Sequence, residues 1–366
     1  MSQSTSSTFS HQDTDRIGIL LTNLGTPDSP STSDVRRYLR EFLWDSRVVE
    51  VPRPVWWFVL NFIILTTRPG RSAKAYQKVW TDEGSPLLNI SLQQGDGLQK
   101  LLDEKYPDRF SVAVAMRYGN PSIETGLKQL RDAGARQVLV LPLYPQYSAT
   151  TTASTFDQVS RVLHGWRWLP ELRFINHYHD EPEYIDKLAQ SIKSYQEQHG
   201  VPDKLMMSFH GVPKDYLLKG DPYFCECQKT GRLLAEKLGL AEDQWQLTFQ
   251  SRLGPKEWLK PYTDETLEQM GKAGVGHVQV VCPGFSSDCL ETLEEIAMEN
   301  RDVFLDAGGK QYEYIPCLNS DASHIEMMSH LVEKHVSGWP LGLSQSEMQE
   351  QLKIRDMQAK KFGAES

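Results

Sequence analysis

Cysteine is scarce in this chain: five in 366 residues, at positions 225, 227, 282, 289 and 317. An odd and sparse set excludes a disulfide-built scaffold and points to a reducing compartment. No C-x-x-C pair occurs, and Cys225-Glu-Cys has the wrong spacing for a zinc knuckle. No apolar run approaches the ~20 residues needed to cross a bilayer, in keeping with a mean hydropathy of −0.47. Basic residues are outnumbered, 39 against 48 acidic, for a net charge of −9. Such a surface repels phosphate backbones, so no nucleic-acid partner is expected. Neither a P-loop nor a G-x-G-x-x-G follows the first apolar run, which leaves nucleotide binding without support. The opening MSQSTSSTFSHQDTDR lacks an apolar core. It reads as a disordered tail over 1–15 and not as a secretory signal, so a cytoplasmic protein is expected.

What is present is a regular alternation. Short β-branched or apolar runs at 17–23, 112–116, 137–143, 205–209, 246–249 and 277–282 are separated by amphipathic stretches such as 123–133 and 263–272. Strand, helix and strand in repetition predict βαβ units and a parallel sheet covered on both faces. An internal echo sharpens this. LLTNLGTP from Leu20 and MMSFHGVP from Met206 both read as a strand ending in x-Gly-x-Pro. LKQLRDAGARQVLVL from Leu127 and LEQMGKAGVGHVQVV from Leu267 both end a helix with Ala-Gly before a strand. The pairs are offset unequally, which predicts two similar α/β halves with insertions and not a tandem array. We divide the chain into a half over 16–165, a half over 166–336, and a polar helix or tail over 337–366.

Two features could carry chemistry. His210 follows a predicted strand and precedes a glycine turn, which places it at the rim where open α/β sheets bind ligands. The equivalent position in the first half is Leu24, so the repeat alone does not call for an imidazole. In CPGFSSDCLETLEEIAMEN from Cys282, Glu291, Glu295 and Glu299 recur at every fourth position after a Pro-Gly turn. They would form a row down one helix face, closer in line if the helix widens locally to a π turn. A solvated acidic face is the ordinary explanation; a row that starts at the crevice suits cation or proton traffic. A third segment, VPRPVWWFVLNFIIL over 51–65, has an apolar core of about 11 residues, too short to span a membrane. It reads either as a buried core helix or as an exposed lip for a flat apolar ligand or a membrane surface.

The chain resembles the ferrochelatase family from about position 17 to 336. The shared blocks are NLGTP, GSPL around Ser85, LYPQYS at 143–148, SFHGVP with GDPY, TFQSR with GP and WL, and CPGFSSDCLETLEEI. The resemblance implies two Rossmann-like, chelatase-type halves with a cleft between them. It implies an enzyme, a lyase, that inserts Fe²⁺ into a porphyrin in haem biosynthesis, with release of two protons and with protoporphyrin IX as the expected substrate. His210 matches the family's active-site histidine and Glu291 its partner carboxylate, while Glu295 and Glu299 continue as a proton or metal path along a π-helix. Arg117 and Tyr118 match a pair that faces the ligand. Arg68, Arg71, Tyr76 and Ser85 fall where animal members contact porphyrin propionates, and Leu24 and Trp258 complete the expected porphyrin contacts. The apolar segment over 51–65 matches the lip over the cleft, which implies peripheral contact with the inner face of a membrane. No permanently bound cofactor is expected. Ala149 stands where animal members carry a cluster cysteine, and no cysteine follows Cys317, so no iron–sulfur cluster is implied.

The chemistry that this implies is demanding. Metal enters a planar porphyrin slowly, and a cleft that bends the ring exposes lone pairs and N–H groups. Two protons must leave, and imidazole titrates in the right range to accept them. Imidazole and carboxylate also ligate Fe²⁺, so His210 and Glu291 are equally readable as metal ligands. A non-catalytic porphyrin carrier would not need the glutamate row. A cobalt chelatase commonly has a second histidine where Glu291 stands.

Overall fold

Among the described residues eight strands form, and they fall into two sheets of the same design. A computed structural model describes residues 15–252, 254–341 and 345–363; the tail expected over 1–15 lies, Asp15 apart, outside the described residues. The first sheet has strands β1 (Arg16–Thr26), β2 (Phe110–Gly119), β3 (Ala135–Pro142) and β4 (Glu171–Phe174), in the order β2-β1-β3-β4. The second has β5 (Lys204–His210), β6 (Trp245–Gln250), β7 (His277–Val281) and β8 (Gln311–Ile315), in the order β6-β5-β7-β8. All pairings are parallel. The internal echo in the sequence is therefore a repeat of topology: β1 corresponds to β5, and β3 to β7.

The repeated x-Gly-x-Pro turns have a steric cause. A Cβ on Gly25 would lie 1.8 Å from the Tyr118 carbonyl oxygen, and Gly25 has a φ of +114°. A Cβ on Gly211 would lie 2.8 Å from the Gln250 carbonyl oxygen. In each half a glycine lets the end of the central strand press against its neighbour's backbone. That holds Leu24 and His210 at equivalent sheet edges.

The two strands that the alternation missed, β4 and β8, are both outer strands with mixed polar residues. They carry too few apolar side chains to stand out, because a sheet edge is covered on fewer sides. β4 also follows position 165, so the first sheet takes its last strand from the segment assigned to the second half. The chain later crosses back. Helix Ala322–His335 packs on helix Pro86–Lys105, where Lys105 meets Glu333 at 2.7 Å and Ser329 at 3.2 Å. Trp339 then donates to Glu171 of β4 at 2.6 Å, and the Arg173 guanidinium lies over the Trp339 ring. One apolar core includes Ile19 and Leu141 of the first sheet with Met207 and Phe249 of the second. The polar C-terminal segment contains helix Gln345–Lys361.

The apolar segment over 51–65 is an exposed lip. It runs through helix Arg53–Val59, a π turn Leu60–Ile64 and helix Leu65–Val79. Val55, Trp57, Phe58, Phe62 and Ile63 are between 50% and 57% exposed, whereas Leu60 and Leu65 anchor the segment at 1% and 2%. Trp56 fixes it further by donating to the Leu43 carbonyl at 2.6 Å. Phe62 packs against both Trp57 and Phe58, so the exposed side chains form one aromatic patch. A core helix would have buried them. Among the described residues no helix is long and apolar enough to cross a membrane.

Candidate active site

His210 is the last residue of β5, and Glu291 opens the π-helix Glu291–Asn300. Gln250, at the end of the neighbouring β6, locks the two elements together. Its amide donates to the Glu291 carbonyl at 2.9 Å, and its side-chain oxygen accepts from Ser208 at 2.8 Å. His210 Nδ1 lies 2.7 Å from the Gly211 carbonyl oxygen. A carbonyl can only accept, so Nδ1 carries the hydrogen and the neutral ring keeps its lone pair at Nε2. Burial pushes the His210 pKa down, Glu291 opposes that, and the Arg68 charge adds to the depression. The ring is therefore held neutral with a basic nitrogen available.

The groups that the Glu291 charge acts on come from distant parts of the chain: Arg68, Tyr38, Tyr76, Cys289, Glu295 and His210. Burial raises both tyrosine pKa values well above the ordinary range. Tyr38 and Tyr76 thus face the carboxylate as neutral hydroxyls. Arg68 reaches the crevice from the lip helix, and Arg71, one turn further, is exposed.

The glutamate row runs outward. Glu291 and Glu295 are half-buried and Glu299 is exposed. Glu295 accepts from the Ser251 backbone N–H at 2.7 Å and from the Ser251 hydroxyl. Ser251 adopts a φ of +67°, a left-handed conformation uncommon for a residue other than glycine. Burial nevertheless dominates and pushes the Glu295 pKa up to about 7, with Glu291 adding to the rise. Glu299 is also raised, first by burial and then by Glu294. The sequence reading missed Glu294, which is buried and paired at 2.6 Å with Lys78 of the lip helix. Nothing in the local pattern marks that pair, since 216 positions separate its members.

The remaining expected residues divide. Trp258 packs beside Gly211, with a ring carbon 3.2 Å from where a Gly211 Cβ would stand. Leu24 is half-buried against the cluster of Tyr38, Tyr76 and Tyr118. Arg117 and Tyr118 are buried, and their polar groups are turned inward. Arg117 Nε donates to the Ser154 carbonyl and hydroxyl at 2.9 and 2.7 Å, and its guanidinium pairs with Asp45. Tyr118 donates to Asp45 at 2.9 Å. Hydrogen bonds from Ser154, the Arg47 backbone and Tyr118 hold the Asp45 carboxyl below its ordinary range despite burial. This network shapes the wall of the first half. Ser85 is likewise buried, and its hydroxyl donates to Thr26 at 2.9 Å. It stands at the start of helix Pro86–Lys105, sealing a strand end and not offering a free donor to a propionate.

Two parallel sheets of identical order, with an imidazole and a row of carboxylates beyond strand ends of the second, make up a fold shared with chelatases. A solved structure described as SirB from Bacillus subtilis with Fe3+ shares the fold, with a TM-score of 0.52 at 12% identity, covering 88% of this chain and 96% of that one. The family model described as Ferrochelatase matches residues 16–336. The ferrochelatase of Thioalkalivibrio sulfidiphilus (strain HL-EbGR7) is 58% identical over 334 residues, 91% of this chain and 90% of that protein. That of Marinobacter nauticus (strain ATCC 700491 / DSM 11845 / VT8) is 54% identical over 343 residues, 94% of this chain and 93% of that protein. The chain belongs to the ferrochelatase family.

The raised Glu295 pKa has a measurable consequence. Between its ordinary value of 4.5 and about 7, the folded state keeps a proton that the unfolded state has lost. Stability therefore falls as pH rises through that window. Glu295→Gln, which cannot titrate, should flatten this part of a urea-unfolding profile measured from pH 4 to 8. A lost Ser251 contact would shift the whole profile vertically; profiles of equal slope would show that Glu295 titrates normally.

Proposed function

We propose that the crevice inserts Fe²⁺ into protoporphyrin, with His210 as the first proton acceptor and the glutamate row as the outward path. The observation that carries this reading is the forced tautomer of His210, whose half-buried ring presents a neutral Nε2 within reach of the Glu291 charge. Each pyrrole proton taken up by Nε2 makes an imidazolium that Glu291 stabilises. Glu295, poised near pH 7, can then exchange that proton toward Glu299 and solvent. The same two groups are suited to take Fe²⁺ as it arrives, since imidazole and carboxylate are both ligands for it. Arg68 and Arg71 on the lip helix would clamp propionates, and Arg68 feels the Glu291 charge.

The aromatic lip supports both the preference for protoporphyrin, the less polar dicarboxylate, and peripheral contact with a membrane. A chain that works without an iron–sulfur cluster is supported by its cysteines. Ala149 stands where animal members carry a cluster cysteine, and no cysteine follows Cys317.

His210→Ala and Glu291→Gln should fold and bind porphyrin yet lose metallation by about 100-fold or more, the scale on which a positioned acid or base acts. Single-turnover assays with Fe²⁺ or Zn²⁺ measure this, and near-normal rates would remove the named residue from the mechanism. His210→Ala should also abolish the acidic limb of the pH–rate profile in whatever activity remains.

Trp57→Ser with Phe58→Ser should weaken binding to anionic lipid vesicles and raise the KM for porphyrin. Both side chains are half exposed, so unfolding free energy should change by less than about 1 kcal/mol, not the ~3–5 kcal/mol of a buried aromatic. Unchanged vesicle binding would sink the membrane reading. Anaerobically purified protein should show no visible cluster absorption; a stoichiometric cluster spectrum would overturn the cofactor reading.

A further inference from the structure

The segment leaving β4 carries two histidines that the iron-insertion chemistry does not use. His177 Nδ1 lies 2.7 Å from Glu226 Oε1, and His179 Nδ1 lies 3.3 Å from Glu226 Oε2. One ligand atom from each of the three residues falls within 4.8 Å of the other two. The His179 and Glu226 side chains are only 6% and 9% exposed, while His177 is 50% exposed and opens the group to solvent. Glu226 is held in place from behind, since the Tyr147 backbone N–H donates to its Oε2 at 2.7 Å.

An ordinary ion pair between His177 and Glu226 does not account for this arrangement. His179 Nδ1 is buried and, although close to the Glu226 carboxylate, makes no hydrogen bond. A buried nitrogen without a partner is uncommon and costs free energy. Burial also lowers the His179 pKa, which keeps the ring neutral, as a metal ligand must be. The adjacent Asp180 lies 3.9 Å from His179 Nδ1, beyond hydrogen-bond reach, and its other oxygen pairs with Lys229.

We propose that His177, His179 and Glu226 form a second divalent-metal site, distinct from the crevice and suited to Zn²⁺. Two imidazole nitrogens and one carboxylate, with a solvent-facing position for water, are a recognised donor set for this ion. In a tetrahedral zinc site the ligand atoms stand roughly 3.3 Å apart, given metal–ligand bonds of about 2.0–2.2 Å. The observed 2.7 and 3.3 Å reach that with a small side-chain shift. The location assigns its role. The two histidines belong to the crossover from β4 into helix Pro182–His199, Glu226 belongs to helix Tyr223–Leu238 of the second half, and Tyr147 follows β3 of the first. An ion there clamps the crossover to both halves. It acts on stability and not on porphyrin chemistry.

The test uses the full-length chain stripped with a chelator, carrying His210→Ala and Glu291→Gln so that the crevice ligands are gone. Calorimetric titration with Zn²⁺ should still give one ion per chain, and that ion should raise the melting temperature. Adding His177→Ala, at a half-exposed position, should weaken binding by at least about tenfold, the loss that even an outer partner of a metal site gives. It should also abolish the thermal shift. His177→Cys, which restores a ligand, should recover both, and Co²⁺ in place of Zn²⁺ should give the visible absorption of a tetrahedral site. The proposal is overturned if no Zn²⁺ binds once the crevice ligands are removed. It is equally overturned if the bound ion and its thermal shift are indifferent to His177→Ala.

Discussion

One half-buried carboxylate organises the crevice. Glu291 sits where a strand end, a π-helix and the lip helix converge, and removing a carboxylate from water is unfavourable unless partners surround it. The partners differ in kind: a neutral imidazole at His210, a guanidinium at Arg68, and two tyrosine hydroxyls kept protonated by burial. The same charge that offsets the depressed basicity of His210 also raises the pKa of Glu295. Proton affinity at one end of the row is thereby coupled to that at the next. Chemistry that must move two protons out while a dication moves in benefits from such coupling, because each transfer changes the affinity of the neighbouring site.

The fold holds this charge by making both halves contribute to both walls. The crossing of helix Ala322–His335 onto the first half, the shared core, and the Lys78–Glu294 pair between lip helix and π-helix all resist separation of the halves. On the opposite wall, Asp45, Arg117, Tyr118 and Ser154 form a closed hydrogen-bonded network. Only the aromatic lip departs from this tight construction. Its aromatic and aliphatic side chains stay half exposed, as suits a surface that meets an apolar ligand or a lipid headgroup region.

Much of this was legible in the chain. Six of eight strands announced themselves by apolar runs between turn residues, and the paired x-Gly-x-Pro turns disclosed the duplicated topology. His210 and Glu291 stood out as candidates because one ends a strand before a glycine turn and the other opens a helix after a Pro-Gly turn. The π geometry of Glu291–Asn300 was also anticipated from the carboxylate spacing. What a side chain meets was not legible. Ser85 and the Arg117–Tyr118 pair were expected to face a ligand, yet their polar atoms are taken by Thr26, Asp45 and Ser154. The outer strands β4 and β8 left too weak an apolar signature.

The sequence by itself determined the class of fold, the repeat, and the identity of the groups able to move protons or hold iron. These follow from local physics: side-chain periodicity, the backbone freedom of glycine at two turns, and the chemistry of imidazole and carboxylate. Only the tertiary structure decided which of the charged and polar residues are buried together. Lys78 and Glu294 are 216 positions apart, and Arg117 and Asp45 are 72 apart. It alone set the tautomer of His210, the raised pKa of Glu295, the exposure of the lip, and the gathering of His177, His179 and Glu226. Each of these depends on burial or on the backbone and side-chain geometry around the group, and both come into being only when the chain folds.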